Sequence, residues 1–187
     1  EFMGQWIERT RVEKPGIQED AWMVDKDMLE AFTGRPVPFN VLKRKFWDQI
    51  NYMTSTFSPV PGVVETLDEV SRKGYIIGLI SNVFHPSIIF KELFFEWGII
   101  DFFKPLLFSS DYRFKKPHVE IFNYALSWYP ELKPEEAIFI GDTWDIDVVG
   151  ALGAGMRPIW VNAEHEEQTR EGVPVINAVN DFEIPAK

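Results

Sequence analysis

The chain contains no cysteine, which excludes disulfides, thiolate nucleophiles and zinc sites built on cysteine. Histidine is scarce, and His85, His118 and His165 show no metal-ligand spacing. No apolar run approaches the roughly 20 residues needed to span a bilayer. The opening EFMGQWIERT has no signal-peptide core, so the cytoplasm is the default location; Glu1-Phe2 ahead of Met3 reads as a cloning scar. Internal repeats and low-complexity runs are also missing. Basic residues are outnumbered, 19 Lys and Arg against 29 Asp and Glu, giving a net charge of −10. A general affinity for nucleic acid or for anionic membranes is therefore not expected. An anionic ligand can still bind, because a site responds to local charge.

What is present is a core-forming composition. Hydrophobic residues make up 45% of the 187 positions and aromatic residues 15%, enough for one ordinary domain and a small accessory one. The texture changes near residue 57. Before it, the pattern predicts helices over Asp20–Thr33 and Phe39–Met53, separated by Gly34-Arg35-Pro36, with Val41, Leu42, Phe46, Ile50 and Met53 near the helical period. After Ser58-Pro59-Val60-Pro61-Gly62, helices and strands alternate. Predicted helices cover Val63–Lys73, Pro86–Trp97, His118–Trp128 and Val148–Ala154; predicted strands cover Tyr75–Ile80, Leu106–Phe108, Ala137–Ile140 and Pro158–Val161. Gly74 and Gly98 suit left-handed helix ends. Such alternation argues for an α/β fold, a Rossmann-like three-layer parallel sheet with helices on both faces. Ligands bind such sheets outside the carboxyl ends of the strands.

Three strand ends carry candidate chemistry. Ser81-Asn82 follows YIIGLI, and a hydroxyl, an amide and turn N–H groups can hold phosphate oxygens; the same pair can equally be a polar turn capping the next helix. Lys116 precedes Pro117, which biases the lysine toward an extended conformation, while the proline is placed to open a helix. A lysine there can present its ammonium to an anion or simply be solvated with Lys115. Asp142, Asp145 and Asp147 crowd the exit of AIFI, a repulsion that a cation relieves. Carboxylate oxygens suit Mg²⁺. Alternatively, Asp145 or Asp147 caps the following helix.

In concert, LISN, KKPHVEIF and FIGDTWDIDVVGALGAGM resemble the second, third and fourth motifs of the haloacid dehalogenase (HAD) superfamily of phosphatases and related hydrolases. Pro61-Gly62-Val63-Val64-Glu65-Thr66-Leu67 looks like the helix that leads into the second motif. The resemblance covers about residues 58–170. It implies a HAD-like core over residues 58–187 and a partial helical cap over residues 1–57. It also implies a Mg²⁺-dependent phosphomonoester hydrolase acting on a small phosphorylated metabolite. By position, Ser81 would bind the transferring phosphoryl group, Asn82 would line the substrate pocket and Lys116 would neutralise phosphate charge. Asp142 would ligate Mg²⁺, with Asp147 in support. His118 and Val119 stand where relatives often have Asp and Pro.

The family's first motif, an apolar strand ending in Asp-x-Asp and usually Gly-Thr, has no counterpart at its expected place. Its first Asp attacks phosphorus and its second acts as general acid and base. The nearest match is Ala21-Trp22-Met23-Val24-Asp25-Lys26-Asp27, but Met28-Leu29 replaces Gly-Thr and the segment runs on into a predicted helix. Three accounts remain open: a truncated or proteolysed form of an ordinary enzyme, a displaced first motif at Asp25 and Asp27, or a non-catalytic module that binds phosphate, Mg²⁺ or a protein. The missing strand would be the centre of the sheet. A second chain or a fragment that supplies it is therefore an expected partner.

Overall fold

The structure, a computed structural model, describes residues 21–162 and 172–185. The expectations for residues 1–20, and His165, lie outside the described residues. The N-terminal helices α1 (Ala21–Thr33) and α2 (Phe39–Thr56) are joined by a turn at Gly34, whose φ is 65°. Asp25 and Asp27 lie within α1, with Asp27 exposed. The Asp-x-Asp spacing therefore falls on a helix and not at a strand end. α2 turns Leu42 and Ile50 inward and packs against α4.

The alternating elements follow: α3 (Val63–Arg72), β1 (Ile77–Ser81), α4 (Ser87–Glu96), β2 (Phe103–Phe108), α5 (Val119–Leu126), β3 (Ile138–Gly141), α6 (Val149–Gly153), β4 (Arg157–Val161) and β5 (Val175–Ile176). Gly74 and Gly98 close α3 and α4 with φ values of 78° and 68°. The Gly98 N–H donates to the Phe95 carbonyl at 2.9 Å, which meets the carbonyls a helix end leaves unpaired. The α/β architecture expected from the sequence is thus present, with every strand pairing parallel.

The parallel strands form two pieces. β1 pairs with β2, placing Ser81 opposite Phe108. β3, β4 and β5 form the second sheet, placing Gly141 opposite Trp160. Among the described residues, β1 and β3 each keep one unpaired edge. The two pieces share a core, since Ile80 of β1 and Phe139 of β3 both pack on the cluster of Ile121, Phe122, Ala151 and Ala154 from α5, α6 and the turn after it. A second aromatic group stacks Phe90 of α4 on Phe108 of β2, with ring centres 5.4 Å apart. Full burial of each such side chain contributes about 1.5–3 kcal/mol. By contrast Phe32 and Phe39 remain 77% and 70% exposed. Among the described residues no helix is long and apolar enough to cross a membrane.

Candidate functional site

β1 carries its chain to Ser81 and then to Asn82, which is exposed. The Asn82 carboxamide reaches the loop between β2 and α5 and bonds the Lys116 backbone twice. Its Nδ2 donates to the Lys116 carbonyl at 2.7 Å, and its Oδ1 accepts from the Lys116 N–H at 2.8 Å. The next residue, Val83, is held from β2. The Ser109 hydroxyl, fully buried, accepts from the Val83 N–H at 2.9 Å and donates to the Val83 carbonyl at 3.3 Å. Nothing in the residue pattern singled out Ser109. Only the parallel pairing of β1 with β2 brings it beside Val83.

Lys116 precedes a cis peptide bond to Pro117, and the helix expected at the proline opens at Val119. His118 is its N-cap, its Nδ1 accepting from the Glu120 N–H at 3.3 Å. The Lys116 Nζ lies 2.6 Å from Asp147 Oδ1 and 5.4 Å from the Phe139 ring centre. That oxygen sits at ion-pair distance from the ammonium yet accepts no hydrogen bond in proper alignment. The side chains are 12% and 5% exposed, so the pair is held away from water. Lys116 therefore departs from the reading of a solvated lysine.

The acidic loop explains its own spacing. Trp144–Val148 forms a single π-helical turn, a feature frequent at functional sites. Asp147 folds back over the end of β3, its Oδ2 accepting from the Thr143 N–H at 3.0 Å. Neither Asp145 nor Asp147 is the helix cap; Thr143 occupies that place. A Cβ on Gly141 would stand 2.7 Å from Asp147 Oδ2, so the glycine is required for the carboxylate to lie there. The exposed Asp142 accepts at Oδ1 from the Thr143 hydroxyl at 3.2 Å, and its carbonyl accepts from the Trp160 indole N–H at 2.9 Å. The two carboxylates thus meet at Thr143, while Asp145 is exposed.

Contacts run without a break from β1 through Asn82, Lys116 and Asp147 to Thr143 and Asp142, so the chosen strand ends converge. Ser81 ends β1, half-buried, beside the Asn82 clamp. Among the described residues no group of three or more His, Asp or Glu is placed to hold a metal. Asp142 and Asp147 remain as a two-carboxylate set, and although Asp147 Oδ1 already faces the Lys116 ammonium at 2.6 Å, carboxylate oxygens keep further lone pairs that suit a hard cation or its water. Mg²⁺ is commonly held through one or two carboxylates with waters completing its shell, so these residues fit it.

In class, this is a parallel α/β domain with a lysine–carboxylate cluster at the carboxyl ends of its strands, where such sheets bind ligands. The chain belongs to the haloacid dehalogenase-like hydrolases, whose family profile matches residues 20–161. It is 31% identical over 175 residues to a glyceraldehyde 3-phosphate phosphatase of Methanothermobacter thermautotrophicus, covering 85% of this chain and 75% of that protein. It is 34% identical to the pyrimidine 5'-nucleotidase YjjG of Escherichia coli, covering 66% of this chain and 53% of that protein. The fold also matches the crystal structure of a HAD phosphatase from Thermococcus onnurineus, with a TM-score of 0.62 and 18% identity over 90% of this chain and 91% of that one. The chain thus spans three quarters of the first relative and about half of the second.

Proposed function

We propose that this chain provides the phosphate- and metal-binding part of a Mg²⁺-dependent phosphomonoester hydrolase that works in the cytoplasm on a small phosphorylated metabolite. The observation that carries this reading is the Lys116 ammonium buried 2.6 Å from Asp147, at the strand end that also bears Asp142. One relative named as a phosphatase and another named as a 5'-nucleotidase support it. Lys116 and the Ser81 hydroxyl take the phosphoryl oxygens and balance the charge that grows on them, which is most of what phosphoryl transfer requires. Asp142 and Asp147 hold Mg²⁺, which when bound supplies further positive charge to the phosphate. The resemblance implies two steps. A carboxylate attacks phosphorus and expels the alcohol, then water cleaves the aspartyl-phosphate to release phosphate and restore the carboxylate.

The attacking carboxylate is assigned to a strand seated between β1 and β3, supplied by a second chain or a fragment. The two unpaired edges support this. Asp25 and Asp27 are disfavoured for the role because both lie on α1.

The reading is tested by calorimetry with Mg²⁺ and by turnover of p-nitrophenyl phosphate. Asp142→Asn is expected to abolish Mg²⁺ binding, and unchanged affinity would count against the site. Asp25→Asn is expected to leave any turnover intact; its loss would move the nucleophile to α1. Phosphate and Mg²⁺ binding without turnover, even when the strand is supplied, would favour a non-catalytic binding module.

A further inference from the structure

We infer that Asn82 is a positioning residue whose carboxamide clamps the Lys116 backbone, so that its contribution to anion binding passes through the lysine and not through contact with the ligand. Both functional ends of the amide are committed to one residue, Nδ2 to the Lys116 carbonyl at 2.7 Å and Oδ1 to the Lys116 N–H at 2.8 Å. Only a side chain that donates and accepts at once can close this pair of bonds. An aspartate would turn a second acceptor toward the carbonyl.

Asn82 is exposed, so packing does not dictate an amide at this position. Its own backbone is steadied through the neighbouring Val83, which the buried Ser109 hydroxyl bonds at both N–H and carbonyl. The clamp therefore transmits the β1–β2 pairing to a lysine 34 residues further along the chain. Lysine has a long flexible stem, and its ammonium reaches Asp147 in the turn beyond β3 only from a fixed backbone origin. Asn82 supplies that origin.

Two measurements on the full chain test this. The first, amide hydrogen exchange at Lys116 by NMR, does not depend on any phosphatase activity. Protection is expected in the unmodified protein, exchange about tenfold faster in Asn82→Ala, and retained protection in Asn82→Asp, whose carboxylate still accepts from the N–H. Exchange in the unmodified protein as fast as in Asn82→Ala would overturn the clamp.

The second rests on the proposed function and uses inorganic phosphate in calorimetry. Asn82→Ala is expected to weaken binding about tenfold, the size of one lost charge-assisted contact. In a Lys116→Met background it is expected to add nothing. Losses that multiply independently would mean that Asn82 touches the ligand itself, and would refute the inference. An unmodified protein that binds no phosphate would refute the phosphatase reading, while the exchange measurement still decides the clamp.

Discussion

Lys116 and Asp147 are 12% and 5% exposed and stand 2.6 Å apart, a geometry in which each charge depends on the other. Removing one partner of a buried pair leaves an uncompensated charge and costs about 3–5 kcal/mol. Lys116→Met is therefore expected to lower unfolding free energy by about 3 kcal/mol in urea titrations. Adding Asp147→Leu should recover much of that loss, because two neutral groups need no counterion. Gly141→Ala attacks the same carboxylate sterically, since its Cβ would come 2.7 Å from Asp147 Oδ2. It is expected to cost about 1–3 kcal/mol and to weaken Mg²⁺ binding together with stability. Tyr112 offers a pH-dependent test. Burial first, and then its neighbour Tyr124, raise its phenol from 10.0 to about 12. The folded state thus keeps the proton longer than the unfolded chain does. The resulting stability is complete below pH 10 and lost as pH rises from 10 to about 12. A melting series across that window should fall less steeply in Tyr112→Phe. At this scale the meeting of Lys116 with the acidic loop was legible in the sequence, because an ammonium and carboxylates follow apolar strands. Gly141 and Ser109 were not. Their roles arise from contacts across six and 26 residues of chain, which no local pattern announces.

At the scale of elements, α5 and α6 meet at a glycine. A Cβ on Gly150 would lie 2.6 Å from two ring carbons of Phe122 and 3.2 Å from Pro117 Cα. Phe122 is fully buried and cannot swing into solvent, so the two helices would have to separate. Gly150→Ala is expected to destabilise the fold by about 1–3 kcal/mol. Phe122→Leu in the same chain should cost less than in the unmodified protein, because the smaller side chain leaves room for the new methyl. A double-mutant cycle from thermal melts would read this coupling. The helices and strands themselves were largely readable from periodicity and from terminating glycines: α2, α3 and α4 begin and end within a few residues of expectation. The π-helical turn at Trp144–Val148 was not readable. A run of acids suggests a cap, whereas the observed geometry depends on Asp147 folding back to Thr143. β5 also escaped notice, since a two-residue strand has no period, and it exists through its pairing with Trp160 and Val161.

Across the whole molecule, one core serves two sheets that do not hydrogen-bond to each other among the described residues. Ile80 and Phe139 rest on the same α5–α6 cluster, yet β1 and β3 each leave one edge without a strand partner. Unpaired backbone N–H and carbonyl groups along a strand edge recruit other strands. The chain is therefore expected to associate beyond the monomer in sedimentation experiments as concentration rises. A synthetic peptide carrying one apolar strand that ends in Asp-x-Asp should compete with that association. It should also raise the melting temperature, by an amount that grows with the logarithm of its concentration above Kd. With Mg²⁺ present it should confer hydrolysis of p-nitrophenyl phosphate. Replacing the first Asp of the peptide by Asn should keep the thermal shift and abolish turnover, which separates filling the gap from supplying the nucleophile. A scrambled peptide should do neither. A chain that stays monomeric, melts cooperatively and ignores the peptide would show that its sheets need no strand between them, and the attacking carboxylate would then have to be sought on the chain itself.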